Sequence, residues 1–324
     1  MDYRDEAPEI IRGFLTYHET IKGHSRKTVD EYYLDLRTFF RFIKIHRSLV
    51  PCDTELDEIS ISDIDLAFVK SVTVSEAYDY LSFLARDRVK NQRSHELDYG
   101  TKASTRARKV STLRSFYKYL NVKAKLIDDN PLKDLDVPKI PATLPRYLTL
   151  EEAQALLRSV DGKNKERDYC ILCIFLNCGL RISEIVALNL QDVRSDSLRV
   201  FGKGSKERKV YLNAKAKLAI KAYIAERNKS NADNNYLFIS REKPYNRLTI
   251  GAVETMIRSL GSKAGIENVH PHRFRRTFAT WGLKRGIPIE QVKQLLGHEN
   301  IETTTIYAKS DDTEVKISHD KYLS

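Results

Sequence analysis

Apolar residues recur every three or four positions through the first 134 residues, the period of helices buried along one side. Ile10, Phe14 and Tyr17 open such a stripe. Ser25 suits the N-cap of the next helix, in which Val29, Tyr33, Leu36, Phe40 and Ile43 alternate four- and three-residue steps. A less regular stretch, 48 to about 60, precedes a short helical piece at 64–69. Thr73 and Glu76 then form a capping box ahead of Ala77, Tyr80, Leu81 and Leu84. Beyond Gly100 one more helix carries Val110, Leu113, Tyr117 and Leu120.

The pattern changes at 135–147, where Pro138, Pro141 and Pro145 disfavour helix and predict a semi-stiff linker. A second domain, 148–324, opens on another capping box, Thr149 with Glu152. An apolar helix is expected to run to about Asn177, with Gly179 suited to its C-terminal turn. ISEIVALNL, from Ile182, reads as the next helix. SLRVFGKGSKERKVYL, residues 197–212, places two β-prone runs around a glycine-containing turn and predicts a hairpin. Helix is expected over 214–227, a short strand at YLFIS (236–240), and helix again over 249–264 and beyond His270. The fold class is therefore mainly α with a small β-sheet: an all-helical domain, 1–134, followed by a mixed, mostly helical domain.

Charge narrows the partner. The formal net charge is +11, which favours a polyanion such as nucleic acid. From Arg86 to Lys118, ten Lys and Arg stand against three acids, and Lys102, Arg106 and Lys109 repeat at helical spacing. One helix face tracking a phosphate backbone is the expectation. No apolar run is long enough to cross a membrane and no secretion signal is apparent, so a cytoplasmic chain is expected. Of the four cysteines, Cys170, Cys173 and Cys178 lie among Ile, Leu and Phe with no second Cys/His pair at metal-ligand spacing, and they read as reduced core thiols. No cofactor or metal is expected.

Candidate chemistry concentrates late in the chain. His272 and Arg275 are three apart on a helical stretch; His298 follows in a Leu-Leu-Gly-His turn, and Tyr307 nine residues later. An oxygen nucleophile attacking a phosphodiester needs fixed cations at the non-bridging oxygens and a proton for the leaving oxygen. Arg181 and Arg275 suit the first need, because a guanidinium stays charged and grips two oxygens. His272 and His298 can donate hydrogen bonds or handle a proton, and Lys203 between its glycines is a candidate acid. Tyr307 is the candidate nucleophile, provided adjacent cations help it ionise. Two arginines can replace a metal, so metal-free chemistry is predicted.

The set GLRISE, GKGSKER, PHRFRRTFAT, LLGH and the tyrosine nine residues on resembles the tyrosine recombinase (phage integrase) family, in a layout similar to Xer-type enzymes. The motif match covers 148–310, and a helical domain before a short linker is similar to that family's DNA-binding core domain. The resemblance implies a site-specific DNA recombinase acting through a 3′-phosphotyrosine intermediate without ATP, in Xer-like recombination, DNA inversion or mobile-element integration and excision. A type IB topoisomerase-like enzyme and a non-catalytic DNA-binding protein are the rival readings. Its catalytic residues would be Arg181, Lys203, His272, Arg275, His298 and Tyr307, with Glu184 orienting its neighbours. It further implies double-stranded DNA as partner, a homotetramer on that DNA, and the residues after Tyr307 packing on an adjacent subunit, with the bacterial nucleoid as location. Arg276 stands where many relatives carry a further histidine, and the 48–100 segment is longer than in compact relatives.

Overall fold

The computed structural model describes residues 6–51, 53–88, 99–140, 146–202 and 207–297. The chain divides into two compact units, 1–142 and 143–324. It is mainly α-helical, with one two-stranded antiparallel sheet among the described residues.

The first unit contains α1 (Glu9–Thr16), α2 (Arg26–His46), α3 (Leu66–Ser71), α4 (Val74–Arg86) and α5 (Ala103–Lys118). Local chemistry starts several of them. The Ser25 hydroxyl accepts from Thr28 N–H, Asp65 from Phe68 N–H, and Thr73 with Glu76 forms a complete capping box. Burial then fixes their faces. Tyr33, Leu36, Phe39, Phe40 and Ile43 of α2 lie fully buried against Ile11 and Phe14 of α1, Tyr80 and Leu84 of α4, and Leu113 and Phe116 of α5. Each such side chain contributes roughly 2 kcal/mol.

The second unit contains α6 (Leu150–Arg158), α7 (Lys165–Cys178), α8 (Ile182–Ala187), β1 (Ser197–Phe201), β2 (Glu207–Tyr211), α9 (Ala214–Asn228), α10 (Ile250–Lys263), α11 (Pro271–Lys284) and α12 (Ile289–Leu296). Helix α7 lies at its centre, packed on α9 and α11. Phe175 of α7 stacks on Phe274 of α11, ring centroids 5.2 Å apart. The predicted hairpin forms as β1 and β2, with Val200 opposite Arg208. Cys170, Cys173 and Cys178 are buried free thiols, and burial pushes Cys178 up to about 12.

One expected helix forms but is short, and one expected strand does not form. The helix begun at Ile182 stops at Ala187, because Leu188 turns to extended backbone (ψ 140°). Its backbone groups go elsewhere: Leu237 N–H donates to Leu188 O, and Leu190 N–H to Asn235 O. The same exchange removes the strand expected at 236–240. Tyr236 bridges Asn189 while Ile239 bridges Arg247, so two different partners divide the segment and no ladder develops.

Candidate active site

Helix α11 begins at Pro271, where a missing N–H costs nothing. His272 and Arg275 follow on one helical face. Arg275 is only 4% exposed. Its Nη1 donates to Gly179 O at 2.9 Å and its Nη2 to Leu296 O at 2.6 Å. Both carbonyls belong to helix C-termini, since α7 and α12 each end on a left-handed glycine, Gly179 (φ 59°) and Gly297 (φ 66°). Unsatisfied carbonyls at such ends favour a cation, and a single guanidinium serves both.

Arg181 comes two residues after Gly179 and caps α8. Its backbone N–H donates to Glu184 Oε2 at 2.8 Å and its Nη1 to Glu184 Oε1 at 3.0 Å. Its Nη2 lies 3.5 Å from Gly297 O. The two guanidiniums therefore meet the end of α12 at adjacent carbonyls, Leu296 and Gly297, immediately before His298. The ring of His272 remains accessible; partial burial, then the charges of Arg275, Arg276 and Arg181, lower its pKa below the usual 6.5. The structure thus brings Arg181, His272 and Arg275 together. Lys203, His298 and Tyr307 lie outside the described residues.

Sequence reasoning missed Arg208. It extends from β2 and grips Glu184 with both terminal nitrogens, at 2.9 and 2.8 Å. Glu184 is 5% exposed. Burial alone would raise its pKa, but the Arg208 hydrogen bonds, the Arg181 N–H and the two guanidinium charges outweigh that and hold it low. A signal was present: on a strand, Arg208 falls on the same face as Val210, which is buried. Lys209, on the opposite face, pairs with Asp196 at 3.3 Å.

In the first unit, Lys102 is exposed just before α5, and Arg106 donates back to Thr101 O. Lys109 has a different task from the one expected. Its side chain is 12% exposed, and its Nζ sits 2.8 Å from Oδ1 of the buried Asp35, whose oxygens also take Arg108 and the Thr112 hydroxyl. No described helix is long and apolar enough to cross a membrane.

The sequence profile of the phage integrase family matches residues 146–314, the portion that carries this arginine-rich cluster. The chain belongs to the phage integrase family. Within that family it is Xer-like: it is 42% identical over 313 residues to tyrosine recombinase XerC of Caldanaerobacter subterraneus subsp. tengcongensis, covering 95% of this chain and 85% of that one. It is 30% identical over 316 residues to tyrosine recombinase XerC of Leptospira interrogans, covering 95% and 91%. Its fold is similar to that of the XerH site-specific recombinase bound to difH substrate, with a TM-score of 0.64 and 20% identity over 95% of this chain and 83% of that one. This member of the phage integrase family is a site-specific recombinase enzyme.

Proposed function

We propose that the chain cleaves and rejoins double-stranded DNA with Tyr307 as nucleophile, Arg181 and Arg275 at the non-bridging phosphate oxygens, and His272, His298 and Lys203 serving hydrogen-bond and proton-transfer roles. The observation that carries this reading is the hold of Arg275 on Gly179 O and Leu296 O, which draws Arg181, His272 and the residue preceding His298 into one place. Fixed guanidiniums stabilise the charge that develops on a phosphorane-like transition state, and their positions cost no reorganisation during reaction. A lowered His272 pKa keeps its imidazole neutral at pH 7, able to accept or relay a proton. With charge supplied by arginines, the reaction needs neither metal nor ATP. The phosphotyrosine bond conserves the energy for rejoining.

The first unit would bind the duplex, with Lys102 and Arg106 meeting phosphates and Lys109 bracing α5. The reaction would run in a homotetramer on DNA in the bacterial cytoplasm, at the nucleoid, each chain's segment after Tyr307 packing on its neighbour. Deletion of 312–324 would then abolish cooperative assembly on paired sites. The catalytic reading is tested with nicked suicide duplexes built on sequences selected by the chain from a random library. Wild type is expected to form a covalent protein–DNA adduct and Tyr307→Phe none. An adduct that persists in Tyr307→Phe would sink the assignment.

A further inference from the structure

Three chain segments converge on Arg208. It lies on β2, five residues after Lys203 and opposite Val200 in the hairpin. Its two terminal nitrogens hold the carboxylate of Glu184, the same carboxylate that takes the backbone N–H and the Nη1 of Arg181. Its guanidinium also abuts the end of α12: a side chain at Gly297 would come within 3.1 Å of Arg208 Nη1 and 3.2 Å of Cζ. Hairpin, α8 and α12 are separated by tens of residues in sequence, and the Arg208 side chain touches the last two while belonging to the first.

We propose that Arg208 is a positioning residue for strand cleavage: by clamping Glu184 and lying against Gly297, it holds Arg181 and the end of α12 in one arrangement relative to β2. This rests on the catalytic reading above. The Arg208 side chain is 16% exposed while that of Arg181 is 38% exposed. That difference fits a division of labour, with Arg181 reaching the phosphate and Arg208 acting through Glu184. A planar fork is the right group for the task, because it fixes both carboxylate oxygens and so fixes the plane in which Glu184 presents itself to Arg181. A lysine could supply the charge but not the orientation.

The test uses the full chain and the selected suicide duplex, in single turnover, for wild type, Arg208→Gln, Glu184→Gln and the double variant. Three quantities are read: the rate constant of adduct formation, the fraction of enzyme that reacts, and the duplex Kd. Arg208→Gln is expected to slow the rate constant about 100-fold, the scale of a misplacement near 1 Å, with Kd within about threefold. In the Glu184→Gln background the same change is expected to cost less than about threefold, because its route of action is already gone. Multiplicative losses would overturn the proposal by placing Arg208 on the phosphate itself. A reduced reacting fraction with an unchanged rate constant would overturn it too, by leaving Arg208 a purely structural role. Should Arg208→Gln fail to fold by circular dichroism, Arg208→Lys carries the test, and a wild-type rate constant there counts against it. Absence of any wild-type adduct removes the catalytic reading and the proposal with it.

Discussion

Gly179 lies against Phe278 so closely that a methyl group on its Cα would sit 2.6 Å from the ring's Cδ1, with Leu296 Cδ2 at 2.9 Å. Its φ of +59° is also one that an L side chain adopts at a cost of about 1 kcal/mol. The position is thus doubly restricted, by conformation and by space. Since Gly179 O is an acceptor of Arg275, any shift that relieves the clash also moves an arginine of the site. Gly179→Ala is expected to lose about 2–4 kcal/mol in urea unfolding and to slow adduct formation. A variant as stable and as fast as wild type would show that the backbone here yields freely.

In the first unit, Asp35 separates two kinds of basic residue. Lys109 and Arg108 converge on its buried carboxylate, whereas Lys102 is exposed. Asp35→Asn leaves a nearly buried ammonium without its counter-charge and is expected to cost about 3 kcal/mol of stability. Lys102→Ala is expected to leave the urea midpoint unchanged and to reduce the slope of log K for DNA against log salt by about 0.9, one phosphate contact. An unaltered slope would remove Lys102 from the DNA-facing surface.

Acid sensitivity is expected from His18. This residue is 7% exposed on the π-helical segment Tyr17–Ile21 that continues α1, its Nδ1 3.3 Å from His24 Nδ1. Burial first, then the positive charges of His24 and Lys22, lower its pKa from 6.5 to about 4. Between those values the unfolded chain binds more protons than the folded one, so stability rises with pH there. The contribution is complete above pH 6.5 and fades as pH falls toward 4, a change on the order of 3 kcal/mol. Urea unfolding at pH 7 and pH 4.5 should show a smaller difference for His18→Gln than for wild type. Equal differences would exclude His18 as the source.

What could be read along the chain was whatever the chain does locally. The capping boxes at Thr73 and Thr149, the glycine after α7, the hairpin around Gly202 and the apolar stripe of α2 are all present as anticipated. Each depends on residues within four positions of one another, or on a period that one helix or strand imposes by itself. His272 and Arg275 shared a face for the same reason.

Pairings between distant segments were another matter. Nothing near Lys109 in sequence announces that Asp35, on another helix, will take its charge. Nothing near Arg208 announces Glu184, although period-two alternation on β2 would have pointed it inward. The segment at 236–240 has strand composition, yet its edge is divided between Asn189 and Arg247. In each case the outcome turned on which donor and acceptor packing brought within 3 Å, once water had been expelled from around them. That competition among buried polar groups is settled by the tertiary arrangement, because the cost of leaving any one of them without a partner depends on everything packed around it.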